Sequence, residues 1–432
     1  MKLNMNNVIA MMAILFHSSS IVAQQKASTT EDTTLSAQEI KAISLKDYKS
    51  FKVNIAPLIK EMSDKRVVGL GEGTHGTAEF YKVRYWISRI LVEEQGFDYI
   101  AFENDLSDVW ALNQQISKTK NLGQLMKSHL MSIWQNEETK EMLDWVKQCN
   151  ATHQRKVTLS GLDFPLLKPD VEMLISVLTK GQDLTLMPAV KSLYQAASLQ
   201  DEAWIGMNDK SYKIDWKLLR SGSKSGYITA DSIEKQMVNL QLSPVLKGEF
   251  QQALTNLKQG FAPFYGGTAE GDRDSLMANN AAMILKGSNS KMIIWAHNAH
   301  MGKTKIYAGT VGGTGSYLLK LFPNNYFVLG TGTANGTFAG TVDVRPTNSN
   351  LMKTYPLAKP IVGSWDEMLA SKNIPSLYFS PSKTKLASLA KPLRLIGFGI
   401  KSDKSTYDTL NLAKMFDAFL FIKDTHASTP LK

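Results

Sequence analysis

A single cysteine, Cys149, occurs in the 432 residues. It excludes an internal disulfide and leaves no second thiolate for a metal, so Cys149 reads as a small core hydrophobe. No segment reaches the roughly 18 apolar residues that a membrane-spanning helix needs, so no membrane span is expected. A basic run of five or more is also missing. The formal charge of +10 comes from scattered lysines and arginines, and nucleic acid is not expected as a partner. Two catalytic signatures are absent too. There is no Gly-x-Ser-x-Gly elbow, and Gly222-Ser223-Lys224-Ser225-Gly226 places lysine where a nucleophilic serine would stand, which disfavours a serine-triad esterase. There is no His-Glu-x-x-His helix. A metal-dependent hydrolase with His75, Glu103 and His297 as ligands stays open as an alternative.

What is present begins with a targeting segment. Met1–Ala23 carries Lys2, an apolar stretch Val8–Phe16, the polar patch His17–Ser20 and a small residue before Gln24. That order is a secretory signal peptide cut after Ala23, which predicts an exported, periplasmic protein. Residues 24–40 read as a flexible leader, followed by one domain, 41–432, with a first helix near Leu45–Glu61.

The rest is organised around Val67-Val68-Gly69-Leu70-Gly71-Glu72-Gly73-Thr74-His75-Gly76-Thr77. Apolar residues, then glycines, then a helical pattern (Phe80, Val83, Ile87, Ile90, Leu91) predict a strand, a tight turn and a helix ending at Gly96. The glycines permit a sharp bend and close approach to a ligand. Arg84 projects from the packed face of that helix and needs a carboxylate partner there. Further strands are expected at Phe97–Phe102, Lys156–Asp163, Lys291–His300 and Asn325–Thr333, separated by helices. Ser376–Phe379, Leu393–Gly399 and Phe416–Ile422 are expected to complete the sheet edge. The alternation predicts an α/β fold, a mostly parallel twisted sheet flanked by helices. A helical insertion at about 169–260 would form a lid over the carboxyl ends of the strands.

Each of the first four strands ends on groups with acid or base capacity: Glu72 and His75, Glu103 and Asp105, Asp163, then His297 and His300. In open α/β sheets ligands bind outside these ends, so residues more than 200 positions apart should meet in one cleft. One acid ending a strand is most often a helix cap; four strands agreeing point to a site. His129, His153 and His426 lack such a context. Trp134 and Trp145 read as core.

Gly71-Glu72-Gly73-Thr74-His75-Gly76 with Glu79-Phe80 and Arg84, Phe102-Glu103-Asn104-Asp105, Gly161-Leu162-Asp163, Arg273-Asp274 with Met277 and Asn280, and Ala296-His297-Asn298-Ala299-His300 together resemble the erythromycin esterase family. The resemblance implies a carboxylic ester hydrolase that opens the macrolactone ring of macrolide antibiotics with water, without a covalent intermediate, metal or other cofactor. His75 matches the general base. Glu72, Arg84, Glu103, His297 and His300 match the polar residues that line and support the site, and Asp105, Asp163 and Arg273 are assigned to substrate binding or support. Asn104 departs from the acid-containing second motif, which leaves the substrate open more than the chemistry. Glu72 or Glu103 would orient His75, and His297 or His300 would donate to the oxyanion or the leaving alkoxide.

Overall fold

Val67–Glu72 forms a strand in which all six residues are buried. A parallel strand covered on both faces needs an apolar run rather than an alternation, which is what its sequence and that of Met292–His297 provide. The computed structural model describes residues 34–152, 154, 156–265 and 271–432. The expected signal peptide with His17, most of the leader, and His153 lie outside the described residues.

The strands, in chain order, are β1 (Lys41–Ala42), β2 (Val67–Glu72), β3 (Tyr99–Asp105), β4 (Thr158–Asp163), β5 (Met292–His297), β6 (Tyr326–Gly340), β7 (Lys353–Pro356), β8 (Ser376–Phe379), β9 (Lys391–Arg394), β10 (Tyr407–Leu410) and β11 (Ala418–Thr425). The main sheet has the order β1-β8-β11-β6-β2-β5-β3-β4, with β7 pairing on β6. From β11 to β4 every neighbouring pair is parallel, while β8 and β1 are antiparallel additions. This is an α/β fold with a mostly parallel sheet flanked by helices. Since β5 pairs with both β2 and β3, residues near 297 lie between residues near 72 and residues near 103.

Two expectations for the last third fail. The Leu393–Gly399 region does not complete the sheet edge: β9 pairs with β10 in a separate two-stranded ribbon. The Phe416–Ile422 run becomes β11, which lies inside the sheet between β8 and β6 because its apolar residues are covered on both sides. The expected strand Lys291–His300 stops at His297, and Asn298–Met301 is a helical turn.

Successive side chains of each strand enter opposite cores. Val68, Leu70, Ile293 and Trp295 pack with Phe51, Ile55, Phe80, Ile87 and Trp134 on one face. Val67, Met292, Ile294 and Ala296 pack with Met277, Ala281, Leu318 and Trp365 on the other. The helix Ala78–Gln95 follows β2 and ends at Gly96, whose φ of +75° lets its N–H reach Leu91 O. The helix Arg273–Leu285 begins at Asp272, which caps Ser275 N.

The chain divides into two compact units, one comprising Leu35–Phe164 with Gly271–Lys432 and the other including Pro165–Glu270. The second unit holds the helices Lys168–Gly181, Met187–Gly206, Trp216–Gln236 and Pro244–Tyr265. Its core includes Val171, Leu174, Val190, Leu193, Ala230, Ile233, Leu254 and Phe261. Sequence periodicity passed over Trp216–Gln236 because its packed face uses Ser223 and Gly226 beside Leu219, Ala230 and Ile233. At Gly226 a Cβ would come within 2.6 Å of the Phe261 ring, so a small residue there is what allows the helices to meet.

Candidate active site

Glu72 closes β2, and the turn Gly73–Gly76 carries His75 before the helix Ala78–Gln95. The turn is tied by backbone bonds: Ile396 N donates to Gly73 O (2.8 Å), His75 N to Ile396 O (3.0 Å) and Ala339 N to Gly76 O (2.9 Å). Gly76 has φ +70°, and a Cβ there would stand 2.1 Å from Ala339 O. A Cβ on Gly73 would stand 2.6 Å from Thr331 O. The close approach that these glycines permit is therefore to neighbouring backbone, which presses the turn onto the sheet.

His75 is 4% exposed. Its Nδ1 lies 2.7 Å from Glu72 Oε1, while Glu72 Oε2 accepts from Arg84 Nη2 at 2.9 Å. Of the two carboxylates named for orienting the imidazole, Glu72 makes this contact. In a neutral imidazole, a carboxylate at Nδ1 favours the tautomer with the proton on that nitrogen and the lone pair on Nε2. Arg84 is buried, and its guanidinium faces the rings of Tyr81 (4.8 Å), Trp295 (4.8 Å) and Trp134 (5.3 Å). Its Nε and Nη1 have no hydrogen-bond partner among the described residues, so the ring faces meet the cation there.

A second group of charges stands at the ends of β3, β4 and β5. The β3–β4 register shifts between Phe102 and Asp105, and Glu103 lies in that irregularity. Glu103 Oε2 accepts His297 N at 2.9 Å, and Oε1 lies 3.1 Å from His300 Nε2 and 3.2 Å from Arg273 Nη2. Asp163, ending β4, accepts from Arg273 Nε at 3.0 and 3.1 Å. His300 Nδ1 lies 2.7 Å from Asp274 Oδ1, which also accepts Thr314 N (3.1 Å) and Oγ1 (2.6 Å).

These partners set the protonation states. Burial opposes a charge on His300, but Glu103 and Asp274, one at each nitrogen, outweigh it and push its pKa up to about 10. His300 is therefore an imidazolium at neutral pH, and the 3.3 Å approach of Arg273 Nη1 to its Nε2 is a contact of two cations bridged by Glu103. Burial likewise opposes the charge on Glu103, yet His300, Arg273 and His75 hold its carboxyl well below the usual range. His297 goes the other way. Burial and the His75 imidazole push it down to about 3, so it is neutral. Its Nδ1 accepts Ala299 N at 3.3 Å, which places the proton on Nε2, 3.4 Å from Gly73 O. The rings of His75 and His297 lie 4.9 Å apart, centroid to centroid.

Glu72, His75, Arg84, Glu103, Asp163, Arg273, His297 and His300 thus form one connected network. Asp105 has the bland role of a strand-end acid: its Oδ1 caps Leu106–Gln115 by accepting Ser107 N (3.1 Å) and Asp108 N (3.3 Å). Asn104 holds a loop, accepting Met131 N at 2.7 Å and donating to His129 O at 3.1 Å. Outside the network, His129 contacts Asp108, and His426 contacts Glu79. No group of three or more His, Cys, Asp or Glu side chains among the described residues is placed to hold a metal ion. Glu103 and both nitrogens of His297, named for the metal alternative, face protein groups.

Sequence reasoning missed three members. Trp134, taken as core, sets its ring edge against His75 (6.3 Å between centroids) and donates from Nε1 to Glu103 O at 3.1 Å. Asp274 and Thr314 complete the hold on His300, and Asp274's adjacency to Arg273 was the available signal.

The erythromycin esterase family model matches residues 92–425. That span contains Glu103, Asp163, Arg273, His297 and His300, whereas Glu72, His75 and Arg84 precede it. An erythromycin esterase type II of Escherichia coli is 24% identical over 410 residues, covering 88% of this chain and 94% of that one. A solved structure described as a succinoglycan biosynthesis protein superposes with a TM-score of 0.76 at 19% identity, covering 91% of this chain and 96% of its own. A mutant of the erythromycin esterase EreC in its open conformation gives a TM-score of 0.64 at 17% identity, covering 89% and 96%. At such identity the two structures speak to the fold alone. The family match over more than half of the chain, with the same fold beneath it, makes this protein a member of the erythromycin esterase family.

Proposed function

We propose that this family hydrolase opens the lactone ring of macrolide antibiotics by adding water, with His75 as the general base, and so inactivates them. Neutral water attacks an ester slowly, so a base must take its proton during attack and a donor must meet the oxyanion. In this reading His75 Nε2 takes the proton, the water oxygen bonds to the ester carbon, and Glu72 steadies the resulting imidazolium. His300, already protonated, and Arg273 face the negative oxygen. The alkoxide leaves as the carbon–oxygen bond breaks and takes a proton from His300, which is restored from His75 through solvent. The new carboxylic acid gives its proton to solvent, and the products are one hydroxyl and one carboxylate on a single opened chain.

The observation that supports this reading is the pairing of an imidazole whose Nδ1 is held by Glu72 at 2.7 Å with a cationic group around His300. We further propose that the protein acts in the periplasm after removal of Met1–Ala23. Purified protein is incubated with fourteen- and sixteen-membered macrolides, with and without a chelator, and the products are weighed by mass spectrometry. A mass gain of one water that survives chelation supports the proposal. An unchanged macrolide alongside hydrolysis of other esters would assign the same machinery to another ester substrate.

A further inference from the structure

We propose that the helical unit carries a second binding site, for a small ring compound bearing a phosphate or carboxylate, beside the first turns of Trp216–Gln236. A cavity of about 460 Å³ there is lined by Trp216, Lys217, Arg220, Ser221, Lys224 and Tyr265. That volume lies within the span usual for small-molecule sites and has room for a sugar phosphate or a mononucleotide.

The charge pattern is segregated. From residue 210 to residue 230 the sequence has Lys210, Lys213, Lys217, Arg220 and Lys224 against one acid, Asp215. Asp215 is already engaged, accepting Lys217 N and Leu218 N at 3.0 Å each as the helix cap. The packed face of the helix is Leu219, Ser223, Gly226, Ala230 and Ile233, which places Lys217, Arg220 and Lys224 on the other side at spacings of three and four. Like charges at those spacings repel. Two cations further along the same unit are neutralised: Lys235 pairs with Asp231 at 2.7 Å, and Lys258 pairs with Asp231 at 3.1 Å and with Glu234. Lys217, Arg220 and Lys224 have no ion-pair partner among the described residues.

The aromatic walls supply the other half of the argument. Trp216 is 40% exposed, a large apolar ring left open beside three cations. Tyr265 packs against Tyr227, with ring centroids 5.0 Å apart. Cations that grip an anion and a ring face that stacks on a planar or sugar ring form a recognised combination. It is also the wrong charge for a macrolide's amino sugar, so this ligand is distinct from the substrate proposed above, and the inference stands apart from that reading.

The test is isothermal titration calorimetry of the full-length protein with glucose 6-phosphate and AMP, each beside its neutral counterpart, glucose or adenosine. One-to-one binding of at least one anion, roughly tenfold or more tighter than its neutral partner and weakened by added salt, is expected. The variant Lys217→Gln/Arg220→Gln/Lys224→Gln should lose roughly tenfold or more of that affinity, and Trp216→Ala should lose part of it, with thermal melts reporting that both stay folded. Anions that bind no better than their neutral partners, or a triple variant that binds like the native protein, would overturn the proposal. The probe that binds more tightly identifies the ring as sugar or base.

Discussion

His75 has one ring nitrogen committed to Glu72, and in the proposed reaction the other takes the proton. His75→Ala should lower kcat by about 10²–10⁴-fold, the usual contribution of a general base, with circular dichroism reporting that the fold is kept. A variant retaining native turnover would remove His75 from the mechanism. Asp105 makes a contrasting case, because its carboxylate is used on helix N–H groups. Asp105→Ala should therefore cost about 0.5–2 kcal/mol of stability by denaturant melt while turnover stays within a few-fold. A loss of turnover as large as that of His75→Ala would return Asp105 to the chemistry. His300 gives a pH prediction. Its folded pKa of about 10 stands above the ordinary 6.5, so its ion pairs add stability that is fully present below 6.5 and lost as pH rises through about 10. The difference in melting temperature between native protein and His300→Gln should shrink across that window, and turnover should fall along the same alkaline limb. A difference that stays constant through it would mean that His300 is not the charged partner of Glu103 and Asp274.

At the scale of elements, the turn between β2 and its helix decides whether the site exists. Gly76→Ala places a methyl carbon against Ala339 O in a left-handed backbone, so strain and overlap act together. The variant should lose on the order of 1–3 kcal/mol and most of its activity, because His75 is borne on the displaced segment. Circular dichroism melts and ester turnover check both; a fully stable, fully active Gly76→Ala would mean that the turn tolerates a shift. The strand-turn-helix character of this stretch was legible from its letters, since apolar runs, glycines and a 3.6-residue period each have one reading. The β9–β10 ribbon and the interior place of β11 were not. Short apolar runs carry no record of which partner they pair with, and only competition among all strands for covered positions settles it.

Across the whole molecule, charge balance shapes the pH response. Glu103 and Asp274 have carboxyls held below their ordinary values, so their contribution is present above those values and lost as pH falls through the lowered ones. With His300 failing at high pH, the stability from this network should form a plateau bounded on the acid side by carboxylates and on the alkaline side by an imidazolium. Export is checked separately. Protein recovered from the periplasm should begin at Gln24 by N-terminal sequencing, and recovery only from the cytoplasm with Met1 retained would refute the signal-peptide reading.

The sequence by itself determined that acids and bases end several of the strands, because acid, base and glycine at a strand terminus are local features. It also determined the α/β class, since alternating strand and helix periods leave few other architectures. Only the tertiary structure decided that Glu72 rather than Glu103 holds His75, that His300 is charged while His297 is neutral, and that Trp134 walls the site. The states of His300 and His297 depend on β5 entering between β2 and β3, and hence on distances of a few ångström to residues some 200 positions away, which neither spacing nor composition encodes.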